Sequence, residues 1–400
     1  MRLFSLIIFL SISASLFAQE KQTSSVEQVM RNPLVQGNTE FALHLYSELV
    51  GKNGNLFFSP YSVSSALGMT YAGARGSTAS ELQKALCFPA DSSGLNPEFQ
   101  KLTQELLANG NAEELRLDIA NALCLTSAEI NDPFKKMLKN YYDAEIFSGD
   151  VNIINAWVKS KTHGMIPTIL DSLNRNTACV ILNAIYFKGV WENPFKKAQT
   201  VVAPFHLSET KQNNVPMMRQ QESYPLIENR EQEFKALLLP YKGNRLSFLL
   251  ILPDRVDGLP SVEKQVENAA SLEKLVNEIQ HAPAREVELT LPKFKLESNF
   301  DLVPAFMNLG MHEAFGQSAN FSGIDGKRDL FISQIQHKAV LEVDEEGSKA
   351  AAATAVVMMK ASVVMGPPPA RFLADHPFLF FILDNRTHSI LFMGRMTDPA

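Results

Sequence analysis

The chain has 400 residues, 46% hydrophobic and 20% charged, with 37 basic against 43 acidic side chains and a formal net charge of −6. That balance excludes a disordered, charge-driven protein, and 20 Gly with 21 Pro excludes a collagen-like or Pro-rich linker reading. A net acidic chain also gives nucleic-acid binding no global electrostatic support.

The first residues read as a targeting segment. Arg2 supplies a positive start, Leu3 to Phe17 is almost wholly apolar, and Ala18 precedes the polar run Gln19-Glu20-Lys21-Gln22. The stretch is shorter than the ~20 residues a spanning helix needs, so it predicts a secretory signal over 1–18 and an exported protein rather than a membrane-bound one. The remainder, 19–400, shows no internal repeat and no linker-like break, so it is expected to form one domain.

Helical spacing follows. Thr39 is expected to cap a run with Phe41, Ala42, Leu45, Leu49 and Val50 on one face, and Ser62 to open a second run ending at Gly73. Thr78 with Glu81 reads as a capping box before Leu82, Ala85 and Leu86. A fourth helix is expected over Pro97 to Ala108. From about Ile119 strand signals take over: Cys179–Phe187, Ala236–Leu239, Leu246–Leu252, Val287–Leu291, His337–Val343 and Phe378–Phe392. Helices interrupt them at Ile154–Val158 and Ser261–Ile279. The pattern is that of an α+β fold, helices packed on sheets.

Three cysteines, Cys87, Cys124 and Cys179, sit in apolar contexts without metal-ligand spacing. An odd number leaves room for one bridge, but they read better as buried free thiols acting as small hydrophobes, with no zinc site.

The most unusual stretch follows the strand His337–Val343. A charged turn, Asp344-Glu345-Glu346-Gly347, leads to Ser348-Lys349, four alanines (Ala350, Ala351, Ala352, Ala353), Thr354 and a β-branched run, before Pro367, Pro368 and Pro369 end it. An alanine-rich helix is one reading. The other is a strand: Thr354, Val356 and Val357 favour extended chain, and from Ala350 to Met359 there is neither charge nor proline. Strand parity puts Ser348, Ala350, Ala352, Thr354, Val356 and Met358 on one uncharged face and Lys349 on the other. Such a segment is built to slide into a sheet.

This hinge resembles the reactive-centre hinge of the serpins. Further blocks agree with that family in order along the chain: Asn55 to Ser62, Asn183 to Trp191, His337 to Val340, Leu373 to Ile382, and the ending Leu391 to Arg395. The resemblance implies a serpin-like single domain, with N-terminal helices packed on a large, mostly antiparallel main sheet, further sheets, and an exposed reactive-centre loop over about 345–370. It implies a secreted inhibitor that acts as a suicide substrate: a serine protease attacks the loop, and the freed arm inserts as a strand while the acyl-enzyme is still intact. The target is expected to be elastase-like or broad. The partner is then the protease, covalently bound, and the inhibitor a monomer.

The residues carried over are these. Glu345, Glu346, Gly347, Ser348, Ala350 to Ala353 and Thr354 form the hinge; Ser59, Ser62, Asn183 and His337 match the polar shutter under the main sheet; and Trp191 matches the breach where insertion starts. Family spacing puts the reactive bond at Ala361–Ser362, suiting an elastase-like pocket, with Lys360–Ala361 and a trypsin-like enzyme as the alternative. A non-inhibitory carrier, chaperone or storage role is the rival within the family. One departure lies between Asp150 and Trp157, where the chain is short and the helix over the main sheet is expected to lack its first turns.

Enzymatic motifs are missing: there is no Gly-x-Ser-x-Gly, no His-Glu-x-x-His and no phosphate-cradling loop. No cofactor is expected. Glu98, Glu105, Glu113 and Glu114 offset Lys101, so no heparin-like cofactor site is expected either. Asn320 and Asn385 open glycosylation sequons.

Overall fold

The computed structural model describes residues 32–51, 54–107, 115–125, 130–173, 177–347 and 368–400. The leader (1–18), and the reactive segment from Ser348 to Pro367 with its alanines, Lys360, Ala361 and Ser362, lie outside the described residues.

Helices come first: α1 (Pro33–Leu49), a short strand β1 (Leu56–Phe58), then α2 (Pro60–Tyr71), α3 (Gly76–Ala85) and α4 (Leu95–Leu107). Then β2 (Leu115–Leu125), α5 (Asp132–Tyr142), β3 (Glu145–Phe147), α6 (Val151–Lys161) and β4 (Cys179–Gly189) follow. The C-terminal half adds β5 (Val201–His206), β6 (Gln212–Asn229), β7 (Phe234–Pro240), β8 (Leu246–Pro253), α7 (Leu259–Gln265), α8 (Ala269–His281), β9 (Ala284–Pro292) and β10 (Phe294–Asp301). It closes with β11 (Ile332–Val343), β12 (Ala370–Leu373), β13 (Phe378–Asp384) and β14 (Ile390–Met396).

Two sheets result. Nine strands join in the order β1-β14-β13-β8-β7-β6-β9-β12, with β5 also on β6. Five make the main sheet, β10-β11-β4-β2-β3. Most ladders of the molecule are antiparallel, but β11/β4 and β2/β3 in the main sheet run parallel. On one face of the main sheet, Ile181, Ile185, Phe187, Ile335, Ala339 and Leu341 join the principal core. On the other face, Val180, Leu182, Ala184, Tyr186 and Val340 form a second core with Ile154 and Val158 of α6. Strand parity builds both layers at once. Helix α6 has 11 residues and starts at an Asp150 cap, whose carboxylate accepts from the Asn152 and Ile153 N–H groups. Short as it is, it covers the sheet.

Several expected boundaries moved. Helix α1 begins two turns earlier, where the Asn32 side chain caps Pro33–Leu49, and Thr39 is a buried interior residue whose hydroxyl donates to Val35 O. Ser59, not Ser62, caps α2, accepting from the Ser62 N–H. Thr78 and Glu81 do not form a capping box: they lie within α3 and accept from the backbone of Asn320 and of His312 and Glu313. Tertiary partners outbid the local capping pattern at both sites. The apolar run 378–392 is two strands broken at 385–389, and 261–279 is two helices.

All three cysteines are free: Cys124 and Cys179 are buried and Cys87 is half-buried. Burial pushes the Cys87 and Cys179 thiols up to about 12, so they behave as apolar packing groups. Among the described residues no cluster fits a metal ion, and no helix is long and apolar enough to cross a membrane.

Candidate functional site: a parallel seam and its hinge

The site is the junction of β4 and β11. These strands run parallel from Ile332 beside Cys179 to Leu341 beside Phe187, and each has an antiparallel neighbour on its outer edge. Parallel pairing is somewhat weaker per residue than antiparallel. A chain turning back after β11 and running between the two would therefore lie antiparallel to both.

Under the middle of the seam sits a buried polar cluster. His337 and Asn183 are register partners across it. His337 Nε2 lies 3.1 Å from Ser59 N, which can only donate, so Nε2 accepts and the ring proton rests on Nδ1. From there it is donated to Asn183 Oδ1 at 2.6 Å. The Asn183 amide in turn donates to Ser62 Oγ (2.6 Å), Ser62 O (3.1 Å) and Asn121 Oδ1 (2.6 Å). Ser59 Oγ donates to Leu391 O at 2.6 Å, tying the cluster to β14. Complete burial holds His337 neutral, its pKa lowered from 6.5 to about 3. The four shutter residues expected from the sequence thus meet, and Asn121 joins them. A buried asparagine in β2, facing Asn183 in the antiparallel register, was the available signal for it.

At the top of the seam the hinge is held from several sides. Trp191 is 2% exposed, stacked on Tyr241 with ring centroids 4.6 Å apart. Its Nε1 donates to Asp344 O (2.9 Å), its backbone N–H to Glu346 O (3.2 Å), and the Phe195 N–H to Glu345 O (2.7 Å). Glu345 receives Lys293 Nζ at 2.9 Å and Thr200 Oγ1 at 2.8 Å. Burial alone would raise its carboxyl, but these bonds win and lower it. Glu346 pairs with Lys197 at 2.7 Å. Gly347 has φ +86°, and an added Cβ would lie 2.4 Å from Gly189 O and 2.5 Å from Trp191 N. Only glycine fits there. The hinge residue is already wedged over the ends of β4 and β11.

Comparison with known proteins decides the family. The family model described as serpin (serine protease inhibitor) matches residues 36–399. This chain belongs to the serpin family. Leukocyte elastase inhibitors resemble this serpin along almost its whole length: the cattle (Bos taurus) protein is 38% identical over 381 residues, covering 92% of this chain and 99% of the relative. The human (Homo sapiens) one is 38% identical over 382 residues, with the same shares covered. Among solved structures, uncleaved ovalbumin superposes with a TM-score of 0.83 at 29% identity, covering 92% of this chain and all of that one. Serpin48 of the insect Tenebrio molitor superposes with a TM-score of 0.81 at 30% identity, covering 92% and 98%. As a serpin the protein is a protease inhibitor and not a catalyst.

The two sequons fall on structured positions. Asn320 Oδ1 accepts from the Ser322 hydroxyl at 2.8 Å. The Asn385 amide nitrogen donates to Asn244 O and Ser247 Oγ, bonds that a glycan on that nitrogen would disturb.

Proposed function

We propose that this serpin is a suicide substrate for elastase-like serine proteases, acting as a monomer outside the cell after removal of residues 1–18. The protease serine attacks the Ala361 carbonyl carbon and expels the Ser362 amine, leaving an acyl ester on Ala361. The freed arm then enters the β4/β11 seam before water can hydrolyse that ester.

The single observation that carries this reading is that the hinge continues directly from one strand of a parallel seam. Gly347 N donates to Asp344 O at 3.1 Å, closing a turn over Asp344–Gly347. Carrying the ladder on from that turn sets Val343 against Ser348, and so on down the strand to Ile332 against Met359. The 12 residues of β11 are thus matched by the run Ser348–Met359, whose far end is the last uncharged residue before Lys360. A parallel ladder is replaced by two antiparallel ones. The favourable free energy of that exchange is what would drag the tethered enzyme. The names of the leukocyte elastase inhibitors support the target class, and the small Ala361 suits a small specificity pocket.

The test is incubation with elastase-, chymotrypsin- and trypsin-like enzymes, read on a denaturing gel and by mass spectrometry of the released fragment. The expected result is a covalent complex with elastase and a C-terminal fragment starting at Ser362. A fragment starting at Ala361 with a trypsin-like enzyme would move the bond to Lys360–Ala361. Ser348→Arg should still be cleaved but lose most of the complex, because burying an unpaired charge is costly. Undiminished complex with that variant would reject the mechanism. Heating separates the carrier or storage alternative: an inserting loop raises the melting temperature after cleavage, a non-inserting one does not. N-terminal sequencing of secreted material beginning at Gln19 would establish export.

A further inference from the structure

On the face of the main sheet away from the principal core, α6 and the run 162–173 that follows it reach from one edge of the sheet to the other. At the near edge Glu145 of β3 accepts from Trp157 Nε1 at 2.9 Å and pairs with Lys161, both on α6. The Phe147 ring lies against Trp157 with centroids 5.5 Å apart. His163 Nδ1, just past the helix, lies 3.4 Å from Asp118 Oδ2 of β2. Farther on, Ile166, Ile169 and Leu170 are buried in the second core with Val180, Leu182 and Ala184 of β4. The Asn155 side chain binds this strap to the helix. Its Oδ1 accepts from the Ile169 and Leu170 N–H groups at 2.9 and 3.2 Å, and its Nδ2 donates to Leu170 O at 2.8 Å. At the far edge Asn299 Nδ2 of β10 donates to Ile169 O at 3.4 Å. Because β4 and β11 lie between β2 and β10, the strap passes over the seam.

The ground beneath the strap differs on the two sides. Strand β4 offers Val180, Leu182 and Ala184, but their register partners in β11 are Gln334, Gln336 and Lys338. Lys338 is taken up by Glu297 of β10 at 2.8 Å. Among the described residues, Val340 alone of β11 joins the second core, and the Asn299 bond is the single hydrogen bond from α6 or the strap to β10 or β11. Apolar side chains gain by burial against apolar ground and little against amides and an ammonium. The strap is thus held on the β4 side by packing and on the β10 side by one bond.

We propose that Asn299 is a positioning residue that latches the strap across the closed seam, and that breaking its bond to Ile169 O frees β10 and β11 from the α6 side. The inference rests on the seam of the insertion reading above and adds to it a contact that holds the seam shut. Admitting one strand parts β4 from β11 by one further strand spacing, about 4.8 Å. Asn155 and the apolar packing keep Ile169 with α6, so a 3.4 Å contact to β10 cannot span that move. It must break as the seam opens, whereas the ties at Glu145 lie wholly on the other side and survive.

The test is native-state amide hydrogen exchange of the full-length protein, read by mass spectrometry on fragments covering α6, β4, β11 and β13. Exchange reads opening of the seam with no strand entering it, so the outcome does not depend on whether the loop inserts. Asn299→Ala should speed exchange in β4 and β11 about threefold, the lower range for one neutral hydrogen bond, and leave β13 unchanged. Asn299→Asp keeps the size but cannot donate, and should match it. Lys295→Ala, on the same strand and face, should leave β11 at its original rate. Glu145→Ala should speed exchange in α6 and also leave β11 at its original rate. Unchanged β11 exchange in both Asn299 variants, or equal acceleration by Lys295→Ala, would overturn the latch. Acceleration of β11 by Glu145→Ala as large as that by Asn299→Ala would overturn the division of ties between the two sides. The covalent complex with elastase is read separately on its gel, so these failures leave the insertion reading standing.

Discussion

The β13 region and the β4/β11 seam are equally buried but built to opposite ends. Strand β13 lies between β8 and β14, antiparallel to both, with every residue from Phe378 to Asp384 buried. Phe380 stacks on Phe248 at 5.2 Å and on Phe57 at 6.1 Å. Parting β13 from β8 would expose large rings, at about 25 cal/mol per Å² of apolar surface. At the middle of the seam small and polar residues face each other, Ala184 with Lys338 and Asn183 with His337, between apolar pairs such as Ile181 with Ile335 and Phe187 with Leu341. Their polar contacts run mostly to α2 and to β2, and β2 stays paired with β4 when the seam opens. Burial alone therefore does not show which part of a core is permanent. What shows it is where the hydrogen bonds of the buried groups lead.

Acid should break the comparison most severely. His337 is neutral in the fold, with a pKa of about 3, and titrates near 6.5 once unfolded. Below 6.5 the unfolded chain therefore binds the extra proton. Stability present above 6.5 is lost as the pH falls toward 3, at about 1.4 kcal/mol per pH unit. Between pH 6.5 and 4.5 the fold should lose about 2 kcal/mol by this route. His337→Gln, which can donate to Asn183 and accept from Ser59, should show a shallower fall in chemical denaturation over that range. A slope identical to that of the unaltered protein would remove His337 as the acid-sensitive group.

Two glycines sharpen the contrast at a smaller scale. An added Cβ at Gly394 in β14 would meet Leu56 O and Phe380 Cζ at 2.5 Å, inside the sealed sheet. Gly394→Ala should cost about 1–3 kcal/mol by overpacking and leave the fate of bound protease unchanged. Gly347→Ala meets Gly189 O at the mouth of the seam, with φ positive. It should cost about 1–3 kcal/mol in stability as well and, unlike Gly394→Ala, shift the outcome from covalent complex toward simple cleavage, since the reversal needed for insertion is strained. The ratio of complex to cleaved inhibitor on a denaturing gel distinguishes them.

Much of this was legible in the sequence, and the misses have physical reasons. Continuous apolar runs marked β4, β8 and β13, because buried strands need apolar residues on both faces, and a mixed run with His337, Lys338 and Glu342 marked β11. The shutter was legible only by resemblance: Ser59, Ser62, Asn183 and His337 are far apart in sequence, and no local pattern joins them. Strand β6, with polar residues such as Gln220, Gln221 and Glu222 on an exposed stretch, gave no hydrophobic period and was missed. Thr39 and Thr78 carried capping residue types but met buried partners instead. The Lys293–Glu345 contact was invisible for a further reason: it joins residues 52 apart, through a turn whose geometry depends on Trp191.

Asn121 provides the smallest and most discriminating change. Of the bonds that converge on Asn183, only the one from His337 Nδ1 crosses the seam; the one to Asn121 Oδ1 lies within the β2/β4 pair, which would move as a unit. Asn121→Ala leaves the Asn183 amide with both Ser62 acceptors, so the cost should be about 1 kcal/mol, that of one ordinary buried hydrogen bond. Because no cross-seam bond is touched, the association rate of a labelled synthetic peptide of residues 348–359, followed by anisotropy, should stay within about twofold of the unaltered protein. Asn183→Ala, which removes the cross-seam acceptor and leaves His337 Nδ1–H unpaired, should both destabilise the fold by more and speed peptide association. If Asn121→Ala accelerated association as much as Asn183→Ala, the polar cluster would be acting as one undivided clamp, and the distinction between bonds that span the seam and bonds that lie beside it would fail.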